Sequence, residues 1–196
     1  MLKALILLLS LSFLIFGVSC NDEPDIENPL DQIDFGTCDF VAVGNCWVYS
    51  AEGVSEDSAL VIEIESKHPE YEQVYKVRNT YLGEQTEYSY WYIDGEYLKV
   101  FKLNEPILDA HPIYKLEDIY IGEEWQGQDG DKYFFYDVDS LSVNHSCEIG
   151  DYVCNVIKVG FSGAFNKQYN YWNDTIGLIY IRNDFANNYS LKSINF

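Results

Sequence analysis

The fold class of the chain is indicated by one stretch, Thr86-Glu87-Tyr88-Ser89-Tyr90-Trp91-Tyr92-Ile93-Asp94-Gly95-Glu96-Tyr97-Leu98-Lys99-Val100-Phe101. Aromatic and β-branched residues favour strands, and Asp-Gly is a strong signal for a two-residue turn, so the stretch predicts a β-hairpin. With Asp94-Gly95 as the turn, the pairs are Tyr92 with Tyr97, Tyr90 with Lys99 and Tyr88 with Phe101. Because side chains alternate between the two faces of a strand, Trp91, Leu98 and Val100 share the other face. We predict that this apolar face packs on the core.

The opposite face of the hairpin is a candidate ligand-binding surface. Its members are Tyr88, Tyr90, Tyr92, Tyr97, Lys99 and Phe101. A row of aromatic rings can stack on a sugar or hold an apolar ligand, and tyrosine hydroxyls add polar contacts. The same residues could instead form ordinary cross-strand pairs or line the interior of a barrel. We therefore expect either a small-molecule, glycan or protein ligand at this face, or a purely structural role.

Residues 35–196 repeat the chemistry of the hairpin, with runs rich in Tyr, Val, Ile, Phe and Trp between turn signals. The pattern predicts a single all-β domain, folded as a curved, mostly antiparallel sheet, an open β-barrel or a sandwich. Residues 104–118 contain two prolines and are predicted to connect two groups of strands. Segments 40–47 and 118–125 share an aliphatic-Gly-x-x-Trp pattern, which indicates either two related halves or one local structure used twice.

The N-terminus resembles a lipoprotein signal peptide. Its apolar run, residues 4–18, is too short for a membrane span of about 20 residues but suits a signal-peptide core. The run ends at Gly17-Val18-Ser19-Cys20, which resembles the lipobox of bacterial lipoproteins, although Gly17 stands where an aliphatic residue is usual. We therefore predict a signal peptide over 1–19 and a lipid-bearing Cys20. The alternative is an ordinary secretory signal.

Residues 20–34 are acidic, contain proline and lack basic residues, so they are predicted to form a solvated, flexible tether. Acidic residues directly after the lipid-bearing cysteine also resemble the surface-export signal of Bacteroidota-type lipoproteins. This implies a position on the outer face of the outer membrane, with a periplasm-facing anchor as the alternative. The membrane is then a partner through Cys20. The formal net charge of −20 argues against nucleic acid as a partner.

The predicted domain also contains four further cysteines, and an even number in an exported chain indicates disulfides. Gly150-Asp151 is a favoured hairpin turn, and counting outward from it places Cys147 opposite Cys154, within disulfide reach. That pairing leaves Cys38 with Cys46. A zinc site is the alternative, but neither spacing matches the close cysteine pairs of zinc sites.

Three short motifs resemble those of uncharacterised Bacteroidota-type β-rich surface lipoproteins. They are Gly44-Asn45-Cys46-Trp47-Val48-Tyr49, Gly122-Glu123-Glu124-Trp125, and Tyr171-Trp172 followed by Ile176-Gly177-Leu178-Ile179. The resemblance spans the predicted domain and implies a fold and a cell-envelope location, not an activity. It implies a curved antiparallel sheet or open barrel similar to the LolA/LolB-like lipoprotein carriers.

The sequence contains no convincing catalytic or metal-binding motif. Gly160-Phe161-Ser162-Gly163-Ala164 approximates a nucleophile elbow, but a strand rather than a helix is predicted after it and no histidine follows His145. His68, His111 and His145 lie beside turn signals without metal-ligand spacing, so each is predicted to be an exposed turn residue. We therefore predict no metal, no cofactor and no enzymatic activity.

Three functions are compatible with these observations. The leading hypothesis is a binding or interaction module, anchored to the cell surface, that uses the aromatic hairpin face. A second is a periplasm-facing carrier or assembly factor that holds lipid or lipoprotein in an open barrel, which requires a continuous apolar interior. A third is an unrecognised hydrolase, which requires a polar cleft with clustered carboxylates.

The anchor can be tested by metabolic labelling with palmitate. The wild-type chain is expected to incorporate label, and Cys20→Ala is expected to lose it, because the lipid is attached to that side chain. Equal labelling of the two chains would show that Cys20 is not the site of attachment.

Overall fold

The computed structural model describes residues 29–53, 60–81, 86–184 and 186–196 of the chain. Its compact β unit runs from Ile33 to Phe196, and a 3-10 turn at Pro29–Gln32 belongs to a separate N-terminal unit. Cys20 and most of the predicted tether lie outside the described residues. The β unit is one antiparallel sheet of twelve strands that nearly closes into a barrel. The predicted all-β class and single domain are confirmed.

The strands are short except for one long hairpin formed by the eighth and ninth. They are β1 (Cys46–Ala51), β2 (Leu60–Lys67), β3 (Tyr75–Tyr81), β4 (Thr86–Asp94), β5 (Tyr97–Lys102), β6 (His111–Lys115), β7 (Glu124–Asp129), β8 (Lys132–Cys147), β9 (Gly150–Phe161), β10 (Lys167–Asn173), β11 (Gly177–Asn183) and β12 (Tyr189–Asn195). Most of them are rich in aromatic and β-branched residues, which suit a pleated, half-buried surface, whereas β7 contains one aromatic residue, Trp125.

The sheet is an up-and-down meander made of two six-stranded halves. Strands β1 to β6 pair in chain order, β7 to β12 do the same, and β1 pairs with β12 so that Cys46 lies opposite Asn195. The edges of the sheet are therefore β6 and β7, although these strands are consecutive in the chain. We call the junction between them the seam. Within the described residues, no backbone ladder joins β6 to β7.

Both halves begin with the same local structure, which accounts for the repeated Gly-x-x-Trp pattern. Gly44 and Gly122 have positive φ angles of 96° and 82°, a conformation that glycine adopts without steric cost. The N–H of Gly44 donates to the carbonyl of Ile64, and that of Gly122 donates to the carbonyl of Val138, both at 2.9 Å. In each half, the carbonyl after the glycine accepts a bond back from the same partner. One local structure therefore starts two halves with the same strand order.

The predicted connector over residues 104–118 is wrong in part, because it contains strand β6. Proline has no N–H to donate to a ladder, and Pro112 is tolerated because β6 is an edge strand. Pro106 precedes a single 3-10 turn at Ile107–Asp109. The prolines therefore mark a turn and an edge strand, and not an uninterrupted loop.

The β4–β5 hairpin forms, but its register differs by two residues from the predicted one. The observed pairs are Asp94 with Tyr97, Tyr92 with Lys99 and Tyr90 with Phe101. The two turn residues are therefore Gly95 and Glu96, with Gly95 at a φ of 55°. A shift of two residues leaves every side chain on its own face. Trp91 and Leu98 accordingly pack in the core, as predicted.

Two side chains of β1 supply hydrogen bonds where β11 and β12 separate after a short ladder. The Nε1–H of Trp47 donates to the carbonyl of Ile176, and the hydroxyl of Tyr49 donates to the carbonyl of Leu178, both at 2.7 Å. Both aromatic side chains are buried. Because a buried carbonyl without a donor is costly, these two residues stabilise the sheet at that point.

One end of the barrel is closed by the segment before β1 and by an aromatic stack. Phe40 is fully buried, with its ring centroid 6.3 Å from that of Trp172. Trp172 in turn stacks on Tyr114 at 4.8 Å, with the two rings nearly parallel. The Tyr114 hydroxyl donates to Asp174 and accepts from the Asn155 amide. We call this closed end the base of the barrel.

All four cysteines of the β unit carry free thiols in the structure. The predicted opposition of Cys147 and Cys154 is wrong, because Cys147 pairs with Gly150 and Cys154 lies opposite Val143. The turn falls on residues 148–149 and not on Gly150-Asp151, which shifts the register of the whole hairpin. The pairing of Cys38 with Cys46 rested on elimination, and these two residues are likewise unbonded.

The Tyr49 hydroxyl provides a test of the β11–β12 separation. Tyr49→Phe is expected to lower the free energy of unfolding by about 1–3 kcal/mol, because the Leu178 carbonyl loses its buried donor. Denaturant unfolding measures the change. Tyr120→Phe is the control, since this ring is 62 % exposed, and it is expected to shift stability by less than about 0.5 kcal/mol. Equal stabilities of the two variants would contradict the role assigned to Tyr49.

Candidate functional site

The predicted aromatic ligand face is largely covered in the structure. Tyr90, Tyr92 and Phe101 are 7 %, 2 % and 3 % exposed. Phe35 packs on Tyr92 at a centroid distance of 5.7 Å, and His68 packs edge-on against Tyr90 at 4.6 Å. These covering residues come from distant parts of the chain and form a second small core outside the barrel. The interpretation of the face as an open platform is therefore wrong for these three residues.

The other three residues of that face also have protein partners. The ammonium of Lys99 donates to Asp94 at 2.6 Å. Tyr97 packs edge-on against Trp125 with a centroid distance of 6.1 Å, and Tyr88 lies under the Lys76 ammonium at 4.3 Å. Cation–π and ion-pair contacts of this kind stabilise a sheet surface. The six predicted residues therefore share a face but do not form one binding surface.

The interior of the barrel contains a cavity of about 750 Å³. Its walls are mostly apolar and come from both halves of the sheet. The apolar and aromatic members are Leu60, Ile62, Tyr81, Tyr88, Trp91, Val100, Phe101, Leu103, Ile113, Phe134, Tyr136, Val159, Phe161, Trp172, Leu178 and Ile181. Two residues of the predicted ligand face, Tyr88 and Phe101, thus line the cavity as well. Of the lining residues, the sequence placed Trp91 and Val100 on a face that packs on the core. The alternation of apolar and polar side chains along a strand is the same in a filled barrel and in one with a cavity.

The polar residues of the cavity lie mainly where the strands end, opposite the base, and we call this end the mouth. They are Asn79, Glu87, Ser89, Lys102, Asn104, Glu105, Asp129, Lys132, Gln168 and Asn170. The Lys102 ammonium forms an ion pair with Asp129, which links the ends of β5 and β7 across β6. The Glu105 carboxylate accepts from the Lys102 backbone N–H at 3.1 Å. A ligand in the cavity would thus have apolar walls and a polar entrance.

The tyrosines of the interior are uncharged. Burial raises the pKa of Tyr136, and burial together with the Asp174 hydrogen bond raises the pKa of Tyr114. Neither phenol ionises near neutral pH, so both act as hydrogen-bonding groups and not as bases. The barrel wall therefore offers aromatic surface without fixed charge at these two positions.

The seam is held together by side chains near the base. The Lys115 ammonium lies 2.8 Å from a Glu123 carboxylate oxygen and 3.3 Å from one of Glu96. Only 8 % of the Lys115 side chain is exposed. The two carboxylates raise the pKa of Lys115, so the charge on the ammonium persists at all ordinary pH values. One buried cation thus joins the β4–β5 turn, β6 and the start of β7.

Nearer the mouth, the seam is closed by the His111 ring. The imidazole stacks on Phe134 of β8 at 5.2 Å with an interplanar angle of 7°. It lies against Gly127 of β7, where a Cβ atom would be only 2.7 Å from the histidine ring. Burial lowers the pKa of His111, which favours the neutral ring. The sequence did not predict this role, because Pro112 indicated a turn.

The remaining histidines also contact aromatic rings. His68 stacks on Tyr71 at 4.6 Å, and His145 stacks on Tyr180 at 4.4 Å. All three histidines are half-buried, so their prediction as exposed turn residues is wrong. The part of the chain that the structure describes contains no group of three or more His, Cys, Asp or Glu side chains placed to hold a metal ion.

Two of the cysteines, Cys38 and Cys154, lack the properties of nucleophiles. Burial raises the pKa of Cys38 and of Cys154 to about 11. Since the thiolate is the reactive form, both thiols are largely inert at neutral pH. These two residues therefore contribute apolar volume to the core and not chemistry to the cavity.

No protein-family model matches the chain, and no curated protein or solved structure matches it either. Within the described residues, no helix has the length and apolar content needed to cross a membrane. Function is therefore inferred from the cavity and the seam.

The close fit between Gly127 and His111 gives a direct test of the seam. Gly127→Ala is expected to lower the free energy of unfolding by about 1–3 kcal/mol, because the added methyl forces the ring from its place. Gly160→Ala is a matched control on β9, where the Cβ would meet Phe135 at an ordinary 3.9 Å. It is expected to be neutral or to stabilise by up to about 1 kcal/mol. If thermal unfolding shows that Gly127→Ala and Gly160→Ala lower stability equally, the seam is loosely packed.

Proposed function

We propose that this chain is a lipid-anchored binding protein that holds an apolar small molecule inside its barrel. The proposal rests on the cavity of about 750 Å³, which has apolar walls and a polar mouth. Small-molecule sites usually occupy about 300–1,000 Å³ and combine apolar walls with a few polar groups. The barrel interior has this size and this chemistry, so we place the binding region there. Of the predicted hairpin face, Tyr88 and Phe101 line this cavity.

The cavity favours binding over catalysis. Its aromatic walls contain uncharged phenols, and Lys102 at the mouth is engaged with Asp129. A hydrolase would need two carboxylates flanking one reacting bond, or a nucleophile beside a base. The acids that line the cavity are Glu87 at the start of β4, Glu105 in the β5–β6 connection and Asp129 at the end of β7. A bound molecule would be enclosed by rings and aliphatic side chains.

The location remains part of the proposal and rests on the sequence. The lipobox-like Gly17-Val18-Ser19-Cys20 and the acidic residues 20–34 favour a tether on the outer face of the outer membrane. A tethered barrel with an apolar interior could capture a poorly soluble ligand beside the membrane. The same cavity would serve a periplasm-facing carrier, which differs in its compartment and not in its binding chemistry.

A neutral apolar fluorophore, N-phenyl-1-naphthylamine, tests whether the cavity binds ligands. Its fluorescence is expected to rise with wild-type protein, as in any water-excluding apolar site. Val100→Phe puts a ring into the cavity and is expected to weaken binding about tenfold or more, equivalent to at least about 1.4 kcal/mol. Titration of the fluorophore into each protein measures the affinity.

Val153→Phe is the matched control, because Val153 lies on the β8–β9 hairpin and is 55 % exposed. It introduces the same ring away from the cavity and is expected to leave affinity unchanged. Circular dichroism confirms that both variants fold. Absence of any fluorescence rise with wild-type protein, or equal weakening by the two variants, would refute the proposed site.

A further inference from the structure

A second concavity, of about 580 Å³, lies on the outside of the barrel along the seam. It is formed by the connection from β5 to β6, by the start of β6 and by the end of β7. We call it the seam groove. Glu105 and His111 line both the seam groove and the interior cavity. The two spaces therefore meet at the seam and are separated there by side chains.

The separating wall is thin near the mouth. Within the described residues, no backbone ladder joins β6 to β7, so the wall between groove and cavity consists of side chains. The main one is the His111 ring, which stacks on the cavity residue Phe134 and faces Gly127 of the opposite edge. Moving this ring would break its stacking on Phe134 but no backbone ladder.

The seam groove differs from the interior cavity in its chemistry. Its polar side chains are the carboxylates of Glu105 and Asp109, the amides of Gln126 and Gln128, and the hydroxyl of Tyr133. The groove lining includes no lysine or arginine. Burial lowers the pKa of His111, so the histidine adds no positive charge at neutral pH. The groove thus presents negative charge and hydrogen-bonding groups beside an apolar chamber.

We propose that the seam groove is the head-group subsite of the barrel, and that the ligand is an amphiphile with a cationic or an uncharged, hydrogen-bonding head. The apolar part of the ligand lies among the rings of the interior, and the head reaches the groove past His111. This inference rests on the proposed function, because it assigns the polar end of the same ligand.

Electrostatics determines which head group binds. A carboxylate or phosphate head in the groove would face Glu105 and Asp109, and the nearby Lys102 ammonium is already paired with Asp129. Like charges repel strongly near a low-dielectric wall. An ammonium would be attracted by the same two groups. A glycerol or sugar head would hydrogen-bond to the carboxylates and amides. The formal net charge of −20 acts in the same direction, against anionic ligands.

Three ligands with the same twelve-carbon tail separate these cases: dodecylamine, monolauroylglycerol and dodecanoate. Each competes with N-phenyl-1-naphthylamine for the mature chain from residue 20 onward, carrying Cys20→Ser so that no attached lipid interferes. All are kept below their micelle concentrations at about pH 7, where the amine is protonated and the acid is ionised. We expect dodecylamine to bind at least about tenfold more tightly than dodecanoate, with monolauroylglycerol between them.

A double variant that removes both negative charges of the groove, Glu105→Gln with Asp109→Asn, tests the groove itself. It is expected to weaken dodecylamine about tenfold and to leave monolauroylglycerol unchanged, because it removes charge while keeping hydrogen-bonding groups. Glu148→Gln with Asp151→Asn is the control, since it removes the same charge at the β8–β9 turn and is expected to change neither affinity.

The outcomes separate this inference from the proposed function. Dodecanoate binding as tightly as dodecylamine, or equal losses from the two double variants, would overturn the head-group subsite while the barrel site stands. If none of the three amphiphiles displaces the fluorophore, and wild-type protein does not enhance its fluorescence, the proposed function itself fails.

Discussion

The buried ammonium of Lys115, held between Glu96 and Glu123, links the two sides of the seam near the base. A meander whose first and last strands pair at one side must still bring its two middle strands together to enclose a core. Here, edge strands β6 and β7 approach through side chains instead of a ladder. Removing a single partner from a buried ion pair leaves an uncompensated buried charge, so the loss of one partner costs more stability than the intact pair contributes. The Tyr97 ring lies 6.0 Å from the Lys115 ammonium and packs edge-on against Trp125.

The two halves of the sheet begin alike, yet one equivalent position has different chemistry in each. Asn45 and Glu123 both follow a glycine with positive φ, and both are buried. The Asn45 amide donates to the Phe40 carbonyl at 3.1 Å, so it stays within its own loop. The Glu123 carboxylate accepts from the Tyr120 N–H in its own loop at 3.4 Å and also from the Lys115 ammonium on the other half at 2.8 Å. At the β1–β12 junction, which has a ladder, the side chain at this position bonds within its own loop. At the seam, where the described residues form no ladder, the equivalent side chain also binds the other half.

Local pattern was sufficient for the fold class and for the faces of the main hairpin. Because strand side chains repeat every two residues, the wrong register around Gly95 still left Trp91 on the core side. The local pattern was insufficient where residues far apart in the chain determine which surfaces are covered. Phe35 and His68 cover the aromatic face from far along the chain, and no local pattern indicates such a contact. Turn preference misplaced the β8–β9 turn, and with it the cysteine pairing. The apolar cavity could not be distinguished from a filled core, because both need the same alternation.

The order of the strands has a consequence for symmetry. At both junctions the first strand of one half meets the last strand of the other half, β1 with β12 and β7 with β6. Two separate copies of a single six-stranded half, related by a two-fold axis, would close the same ring with identical contacts at both places. When the two halves belong to one chain, the contacts at the two junctions need not be identical. One chain can therefore keep a rigid backbone joint at Cys46 and Asn195 while the opposite joint, around His111, becomes free to specialise.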